Sequence, residues 1–558
     1  MSIYDEKPWL RWYDPGAAHS LTYPDHTLFE MLLLTTLRFP EKPAVYFLGM
    51  SLKYRELLTL VYSCGDALRK MGVHPHDRVA IILPNCPQRV ITDYGVLSLG
   101  AITVPINPLL TKTECTKILR NAKPKVIITL DQFMPIIAKR FISQCAIMVT
   151  HISDFASVGY STAIFLRGVF RKKPVLPENH VSFREVVSSD SDKRESFYVR
   201  SQPDDVATLL YTSGTTGEPK GVMLTHRNIL VNVVQCKAFS TALEEGEEVF
   251  LSVIPFFHAY GLTVGMHLSV MLAAYNVLVP QFSGKTVVQL LKSHRVTVWP
   301  AIPALLQALV KYKTMLTEAT RDLKVITCGG SKLSAEHQLT FESLSSCRVS
   351  PGFGMSELSP VALLTPRGVT HKAGTMGIPI ADTDARVVDL ENGKDLPPGK
   401  MGELIIRGPQ VMKGYWADEK KTAEVLKGEW LFTGDLVSRD EDHFFYYVER
   451  KDDMIKVGSE KVQPSEVERH IAEHPNVAEV VVLSVPDNFR GSAIKACVVP
   501  RKRGALKAQD IISFCKEGLA PFKVPRFVDF VDEIPKNILK KPLRRKLAQH
   551  HSKKEGGK

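Results

Sequence analysis

The sequence predicts an α/β protein with a large N-terminal part and a small C-terminal α+β part. Three observations carry this. Short apolar runs of strand length alternate with longer helical patterns, as in Arg78–Leu83, Gln88–Leu99 and Val126–Leu130, which indicates βαβ units and a mostly parallel sheet. The alternation resumes after residue 228, so a second doubly wound subdomain follows the first. Beyond Gly377 the texture changes to short strands separated by turns, "DARVVDL", "GELIIRG" and "HFFYYVER", which reads as a small β-rich subdomain.

The chain has 558 residues, beyond the size of one ordinary domain. Its 44% hydrophobic and 23% charged content is that of a globular protein in water. No apolar run reaches membrane-spanning length, and the start, with Asp5, Glu6 and Trp12, lacks the basic and apolar regions of a signal peptide. Nine cysteines without a CxxC pair suit reduced thiols in the cytoplasm and offer no zinc spacing. The net charge of +12 suits anionic small molecules, and no nucleic-acid-binding signature accompanies it.

In chain order, Pro43–Leu57 reads as a hairpin turning at Gly49, and Tyr54–Met71 as a helix stopped by Gly72. Arg78–Leu83 and Gly100–Leu110 are buried strands flanking the helix Gln88–Leu99. From Val149 to Asp205 the pattern dissolves. There Ile164–Lys173, with Phe165, Phe170 and four basic residues, reads first as a surface loop, with a membrane-surface patch as the alternative. Asn228–Phe239 and Leu262–Tyr275 read as helices; Val249–Ile254, Val277–Pro280, Val296–Pro300 and Leu323–Cys328 read as strands. After Arg450, a helix and two strands give a compact α+β domain of about a hundred residues.

The stretch Tyr211–His226 is the strongest functional signal. An apolar strand, Val206–Leu210, runs into a turn holding Thr212, Ser213, Gly214, Thr215, Thr216, Gly217 and Lys220. Glycines let the backbone turn its N–H groups toward an anion, hydroxyls add donors, and lysine adds a point charge for phosphate oxygens. Pro219 and Gly221 occupy positions that a Walker A loop gives to glycine and Ser/Thr. On its residues alone, this is a phosphate-binding loop of another kind.

The same stretch resembles the signature loop of the adenylate-forming superfamily, and the likeness extends over about residues 25–547, nearest to bacterial long-chain fatty acid–CoA ligases. Pro255–Gly261 resembles its "PxFHxxG" segment, which implies that His258 positions the acyl substrate. Cys328–Ser334 and Pro351–Glu357 resemble the segments beside adenine, implicating Gly330, Ser331, Gly352, Phe353, Gly354, Met355 and Ser356; Glu357 matches the magnesium-binding glutamate. Phe432–Asp435 matches "xTGD", and Asp435 with Arg450 would hold the ribose. Asp452 falls on the hinge position about which the C-terminal domain rotates between two half-reactions. Lys456, Gly458 and Ser459 match the segment that enters for thioester formation, and Lys541 matches the adenylation lysine. Glu449, Ser459 and Lys540 stand where the family has glycine, and Pro542 follows the lysine.

The resemblance implies a domain at 1–449, a hinge at 450–452, a mobile domain at 453–547 and a polar tail at 548–558. It implies that ATP, Mg²⁺ and a medium- or long-chain fatty acid react to acyl-AMP, with CoA as the acceptor. The implied place of action is the cytoplasm, with peripheral contact at the inner membrane surface. Ser459 leaves open a carrier protein as acceptor, and the altered residues around Lys541 leave open a binding protein without catalysis.

Overall fold

The computed structural model describes residues 6–162, 175–188, 198–213, 218–369, 372–457, 460–487, 491–504, 506–536, 542–544 and 547. It divides into two compact units. The first holds Met1–Arg386, Ile405–Phe432 and Asp442–Phe445; the second holds Val387–Leu404, Thr433–Glu441 and Tyr446–Lys558.

Two large sheets organise the first unit. In the eight-stranded sheet, Arg78–Ile82 is flanked in parallel by Ile102–Pro105 and Val126–Leu130, and Ala146–Thr150 continues the run. Beyond Ile102–Pro105 come Val206–Ser213 and then Pro219–Thr225, which pair with each other antiparallel as a hairpin. Strands such as Val126–Leu130 and Ile102–Pro105 are buried at every position, which is why they read as continuous apolar runs. Ala80, Val104, Ile127 and Leu209 meet Ile118 and Leu119 of the helix Lys112–Ala122 in one core cluster.

The nine-stranded sheet contains Val249–Ser252, Tyr275–Leu278, Val298–Ala301, Val325–Cys328 and Val349–Gly354, all parallel, with antiparallel strands at its ends. The hairpin Pro43–Phe47 and Met50–Lys53 turns as expected, yet it belongs to this later sheet: Pro43–Phe47 lies parallel to Tyr275–Leu278. Pairing across more than 200 residues leaves no local pattern, so chain order misplaces it.

Two element readings are corrected. The helix expected over Leu262–Tyr275 is a π-helical stretch, Gly261–His267, running into Leu268–Met271, and Tyr275 opens the next strand. The helix ends because Ala273 adopts a left-handed φ of 49° and Ala274 N–H reaches back to the Ser269 carbonyl at 2.9 Å. Within 149–205, where no elements were expected, Val149 and Thr150 complete a strand, Val181–Ser182 adds a short one, and Phe183–Ser188 is a helix. Residues 163–174, with Phe165 and Phe170, lie outside the described residues, as does the tail at 548–558.

Short strands at Asp384–Val388, Gly402–Arg407, Leu426–Lys427, Trp430–Arg439 and Phe445–Arg450 form a five-stranded sheet, the expected β-rich subdomain. In the second unit, Val477–Asp487 and Gly491–Pro500 pair antiparallel, and Phe527–Phe530 lies parallel to the latter. The helices Pro464–Ala472 and Ala508–Gly518 contribute Val467, Ile471, Ile511 and Cys515 to its core.

Candidate active site

Parallel strands of the nine-stranded sheet end in register, and that places three candidate segments side by side. Ala301 pairs with Cys328, and Cys328 with Pro351, so Gly329–Ser331, just past one strand, and Gly352–Gly354, the end of the next, lie at the same level. A Cβ on Gly329 would lie 3.7 Å from both the Gly352 carbonyl oxygen and the Tyr260 ring. Tyr260 in turn shares a 2.6 Å hydrogen bond with Thr327, which brings in the Pro255–Gly261 segment. Carboxyl ends of strands in such sheets are where ligands bind. Gly330 takes a left-handed φ of 81° at the strand exit, followed by Ser331.

Gly352 and Gly354 are required for a nearer reason than a flat surface for a base. The strand Val349–Gly354 is met antiparallel by Val361–Leu364, and a Cβ on Gly354 would sit 2.2 Å from the Pro360 carbonyl oxygen. At Gly352 it would sit 2.8 Å from the Leu363 carbonyl oxygen. Phe353 between them remains partly exposed. The Met355 N–H donates to the Pro360 carbonyl at 3.1 Å, closing the turn that carries Ser356 and Glu357.

His258 follows the strand Val249–Ser252, with its ring centroid 4.8 Å from that of Phe257. Its Nε2 is shut from solvent without a hydrogen-bond partner, and burial pushes the imidazole pKa down to about 4. A ring this desolvated is neutral near pH 7. The preceding segment is braced by Asn85, whose Nδ2 donates to the Ser252 and Ile254 carbonyls, both at 3.0 Å, while its Oδ1 accepts from Phe256 N–H at 2.9 Å.

The described ends of the signature loop lie on the two strands of the hairpin. Thr212 stands opposite Lys220 and Ser213 opposite Pro219. Gly214, Thr215, Thr216 and Gly217 lie outside the described residues, as does the Ser213 side chain. The strand Gly414–Tyr415 pairs with the other edge of the hairpin, Tyr415 opposite Val222. The Lys220 ammonium lies 5.3 Å from the centroid of the Tyr415 ring. The Tyr415 hydroxyl donates to Glu357 Oε1 at 2.8 Å, in buried surroundings. Lys220 and Glu357, 137 positions apart in sequence, are thus linked through one tyrosine. The sequence reading missed Tyr415; its signal is the Gly414-Tyr415-Trp416 run, an aromatic pair behind a glycine with a φ of 146°.

In the second unit, Arg450 Nη1 donates to Asp435 Oδ1 at 3.0 Å and to the Thr433 carbonyl at 3.2 Å. Gly434 takes a φ of 70°, and a Cβ there would approach Arg450 Nη2 to 3.3 Å, so the glycine leaves room for the guanidinium. Asp435 is buried. The charge of Asp435 adds to burial in holding the Tyr447 phenol above its ordinary range.

Glu449 has a structural task of its own. Buried at the end of the strand Phe445–Arg450, it accepts the Ser465 N–H at 3.0 Å, in the first turn of Pro464–Ala472. A carboxylate there satisfies a donor that the helix leaves open, which glycine would not do. Asp452, in the turn Lys451–Asp453, and Lys456, in the strand Ile455–Val457, are exposed. Gly458, Ser459, Lys540 and Lys541 lie outside the described residues. On either side of the last two in sequence, Lys536 bridges to Pro542, and Arg544 binds Glu468 at 2.5 Å and 3.1 Å. Burial raises the Glu468 carboxyl pKa against the opposing pull of Arg544.

A carboxylate held in place with one oxygen engaged fits a Mg²⁺ ion that takes its remaining ligands from phosphates and water. Lysine on a hairpin whose tip is rich in glycine and hydroxyls fits phosphate, and a buried aspartate paired to arginine fits a diol. Each of these groups, within its own unit, suits one part of a nucleotide triphosphate.

Comparison with known proteins agrees. Residues 35–416 match the model of the AMP-binding enzyme family, and residues 466–541 match that of the AMP-binding enzyme C-terminal domain. The chain is 37% identical to a long-chain-fatty-acid–CoA ligase of Bacillus subtilis (strain 168), over 99% of this chain and 100% of that one. It is 33% identical to a protein of the same description from Yersinia pestis, over 98% of this chain and 99% of that one. Its fold matches the crystal structure of ATP-bound MatB from Rhodopseudomonas palustris with a TM-score of 0.80, at 24% identity, over 95% of this chain and 99% of that one. With both family models matched and relatives aligned from end to end, the chain belongs to the AMP-binding enzymes.

Proposed function

We propose that the chain is an AMP-forming ligase that activates a medium- or long-chain fatty acid with ATP and passes the acyl group to the thiol of CoA. The observation that carries this is the linked set Lys220, Tyr415 and Glu357 in a chain aligned from end to end with a long-chain-fatty-acid–CoA ligase. In the first half-reaction a carboxylate oxygen attacks the α-phosphorus of ATP, forming the acyl–phosphate anhydride and releasing pyrophosphate. Lys220 and the hairpin tip bind the phosphates. Glu357 holds the Mg²⁺, which neutralises phosphate charge when bound. Asp435 and Arg450 hold the ribose, while Gly330, Ser331 and Gly352–Ser356 border the base. His258, neutral, shapes the wall beside the reacting carboxylate. Lys541 stabilises the charge that develops between carboxylate and α-phosphate.

In the second half-reaction the CoA sulfur attacks the acyl carbonyl carbon, and AMP leaves with the electron pair of the broken C–O bond. We assign Asp452 as the hinge, 453–547 as the domain that turns about it, and Lys456, Gly458 and Ser459 as the segment presented to the thioester step. The test is mass-spectrometric detection of products from ATP, Mg²⁺, CoA and pooled carboxylic acids. Acyl-CoA with carbon chains of eight or more is expected. Acyl-AMP without thioester, transferred only to a phosphopantetheinylated carrier, would move the acceptor to a carrier protein. Absence of pyrophosphate release with every acid would end the ligase reading.

We also assign the enzyme a cytoplasmic location with peripheral membrane contact through the region around 163–174. On either side of it Val158 is 83% and Val175 is 92% exposed, apolar surface that suits an interface. No helix among the described residues is long and apolar enough to cross a membrane. Co-sedimentation with anionic liposomes should fall when Phe165 and Phe170 are both changed to Asp; unchanged binding would remove the membrane contact.

A further inference from the structure

We propose that Tyr415 is a positioning residue that sets the Mg²⁺ requirement of the adenylation step by holding Glu357, and that its ring separately orients Lys220. The inference rests on the functional reading given above and names a residue which that reading leaves unassigned.

The main chain of Tyr415 is fixed from both sides. Lys413 N–H donates to the Met223 carbonyl at 3.0 Å and Trp416 N–H to the Gly221 carbonyl at 2.7 Å, locking the segment to the lysine-bearing strand. Tyr415 N–H donates to Thr422 Oγ1 at 2.9 Å, and Thr422 Oγ1 donates to the Asp418 carbonyl at 2.9 Å. Gly414 admits this packing, since a Cβ there would lie 2.9 Å from Thr422 Cγ2. The same segment also grips the glutamate twice: Met412 N–H donates to the Glu357 carbonyl at 2.9 Å, and the Tyr415 hydroxyl to its carboxylate at 2.8 Å. The carboxylate therefore has one oxygen engaged by a rigid donor, which would leave the other to hold Mg²⁺.

Tyr415 and Glu357 are 5% and 7% exposed, so this hydrogen bond is made out of water, where a charge-assisted bond is strong. The ring and the hydroxyl carry different tasks. The ring faces the Lys220 ammonium, and the hydroxyl faces Glu357. That separation makes the two contributions measurable apart.

Three variants test it by pyrophosphate release with a fatty acid that the wild type uses. Tyr415→Phe keeps the ring and removes the donor; its Mg²⁺ concentration for half-maximal rate should rise about tenfold, the loss of one hydrogen bond to a charged group. Its KM for the fatty acid should stay within about twofold, since the proposed function assigns the acyl wall to the His258 segment and not to Tyr415 or Glu357. Tyr415→Leu removes the ring as well and should add a severalfold rise in KM for ATP. Adding Tyr415→Phe to Glu357→Gln should change nothing further, because the hydroxyl acts through the carboxylate. An unchanged Mg²⁺ dependence in Tyr415→Phe, or a full additive effect in the Glu357→Gln background, would overturn the proposal. Mn²⁺·ATP binding to Tyr415→Phe and to the wild type, followed by electron paramagnetic resonance on samples whose circular dichroism and melting temperature match, gives the same comparison without turnover; equal affinities would overturn it. If the wild type itself releases no pyrophosphate with any acid, the functional reading fails instead.

Discussion

At the scale of the residue, the site is built from long-range pairs in which each side chain is oriented by a neighbour. Lys220 on its hairpin is a mobile cation whose position is limited by the Tyr415 ring. Lys220→Ala should lower kcat/KM for adenylation by about a hundredfold or more, the usual effect of deleting a pre-positioned cation, while the melting temperature stays near that of the wild type. Lys220→Arg should recover only part of this, because the guanidinium is broader and planar. Asp435→Asn keeps the shape but removes the charge that faces Arg450 and that the proposed function assigns to the ribose. A rise of about tenfold in KM for ATP is expected, with little change in KM for the acid, and steady-state kinetics will read the split.

At the scale of the element, the helix Pro87–Leu97 and the loop before it do the bracing. The helix is buried along its whole length, including Gln88, Arg89, Thr92 and Asp93. Arg89 and Asp93 pair with each other, and Arg89 Nη2 also donates to the Phe256 carbonyl at 3.3 Å. Gln88 donates to the His151 carbonyl at 2.8 Å, so the helix is tied to both large sheets. Asn85 fixes three main-chain groups of 252–256. Asn85→Ala strands all three and should cost about 3 kcal/mol, measurable as a lower denaturation midpoint. Gly354→Ala should be worse than its mild chemistry suggests, since the new Cβ would lie 2.2 Å from backbone oxygen. A loss of folded protein, seen by circular dichroism, is the expected outcome.

At the scale of the whole molecule, buried neutral histidines give stability a pH dependence. Burial lowers the pKa of His226 to about 4 and that of His267 to about 3, from an ordinary 6.5. His226 Nδ1 accepts the Leu28 N–H at 3.3 Å, and His267 Nδ1 lies 2.9 Å from the Tyr94 hydroxyl. Each ring takes up a proton more readily when the chain is unfolded. Their contribution is therefore complete above about pH 6.5 and is lost as pH falls toward 4, by up to roughly 1.4 kcal/mol per pH unit for each ring. Denaturation midpoints from pH 8 to 5 should decline below pH 6.5, and His226→Gln should flatten the slope. A slope that is unchanged in the variant would refute the assignment to His226.

The order of strands and helices was legible because alternating strand-length and helix-length apolar patterns are local properties. So was the signature loop, whose glycines, hydroxyls and lysine fall within ten positions of one another. The fully buried strands announced themselves as uninterrupted apolar runs, and Arg450 could be placed beside Asp435 because each stands in its own short motif. What stayed hidden depends on pairing between distant segments. The first hairpin joined the second sheet, Tyr415 bridged Lys220 and Glu357, and Glu449 capped a helix that begins fifteen positions after it. Glycines 352 and 354 were legible as special positions, but only the antiparallel neighbour showed that its carbonyls exclude a side chain. Sequence determined which chemical groups the protein carries and in what local frames, because propensity and periodicity act over a few residues. Tertiary structure decided which of those groups meet, because register and side-chain contact are settled between elements that chain order keeps apart.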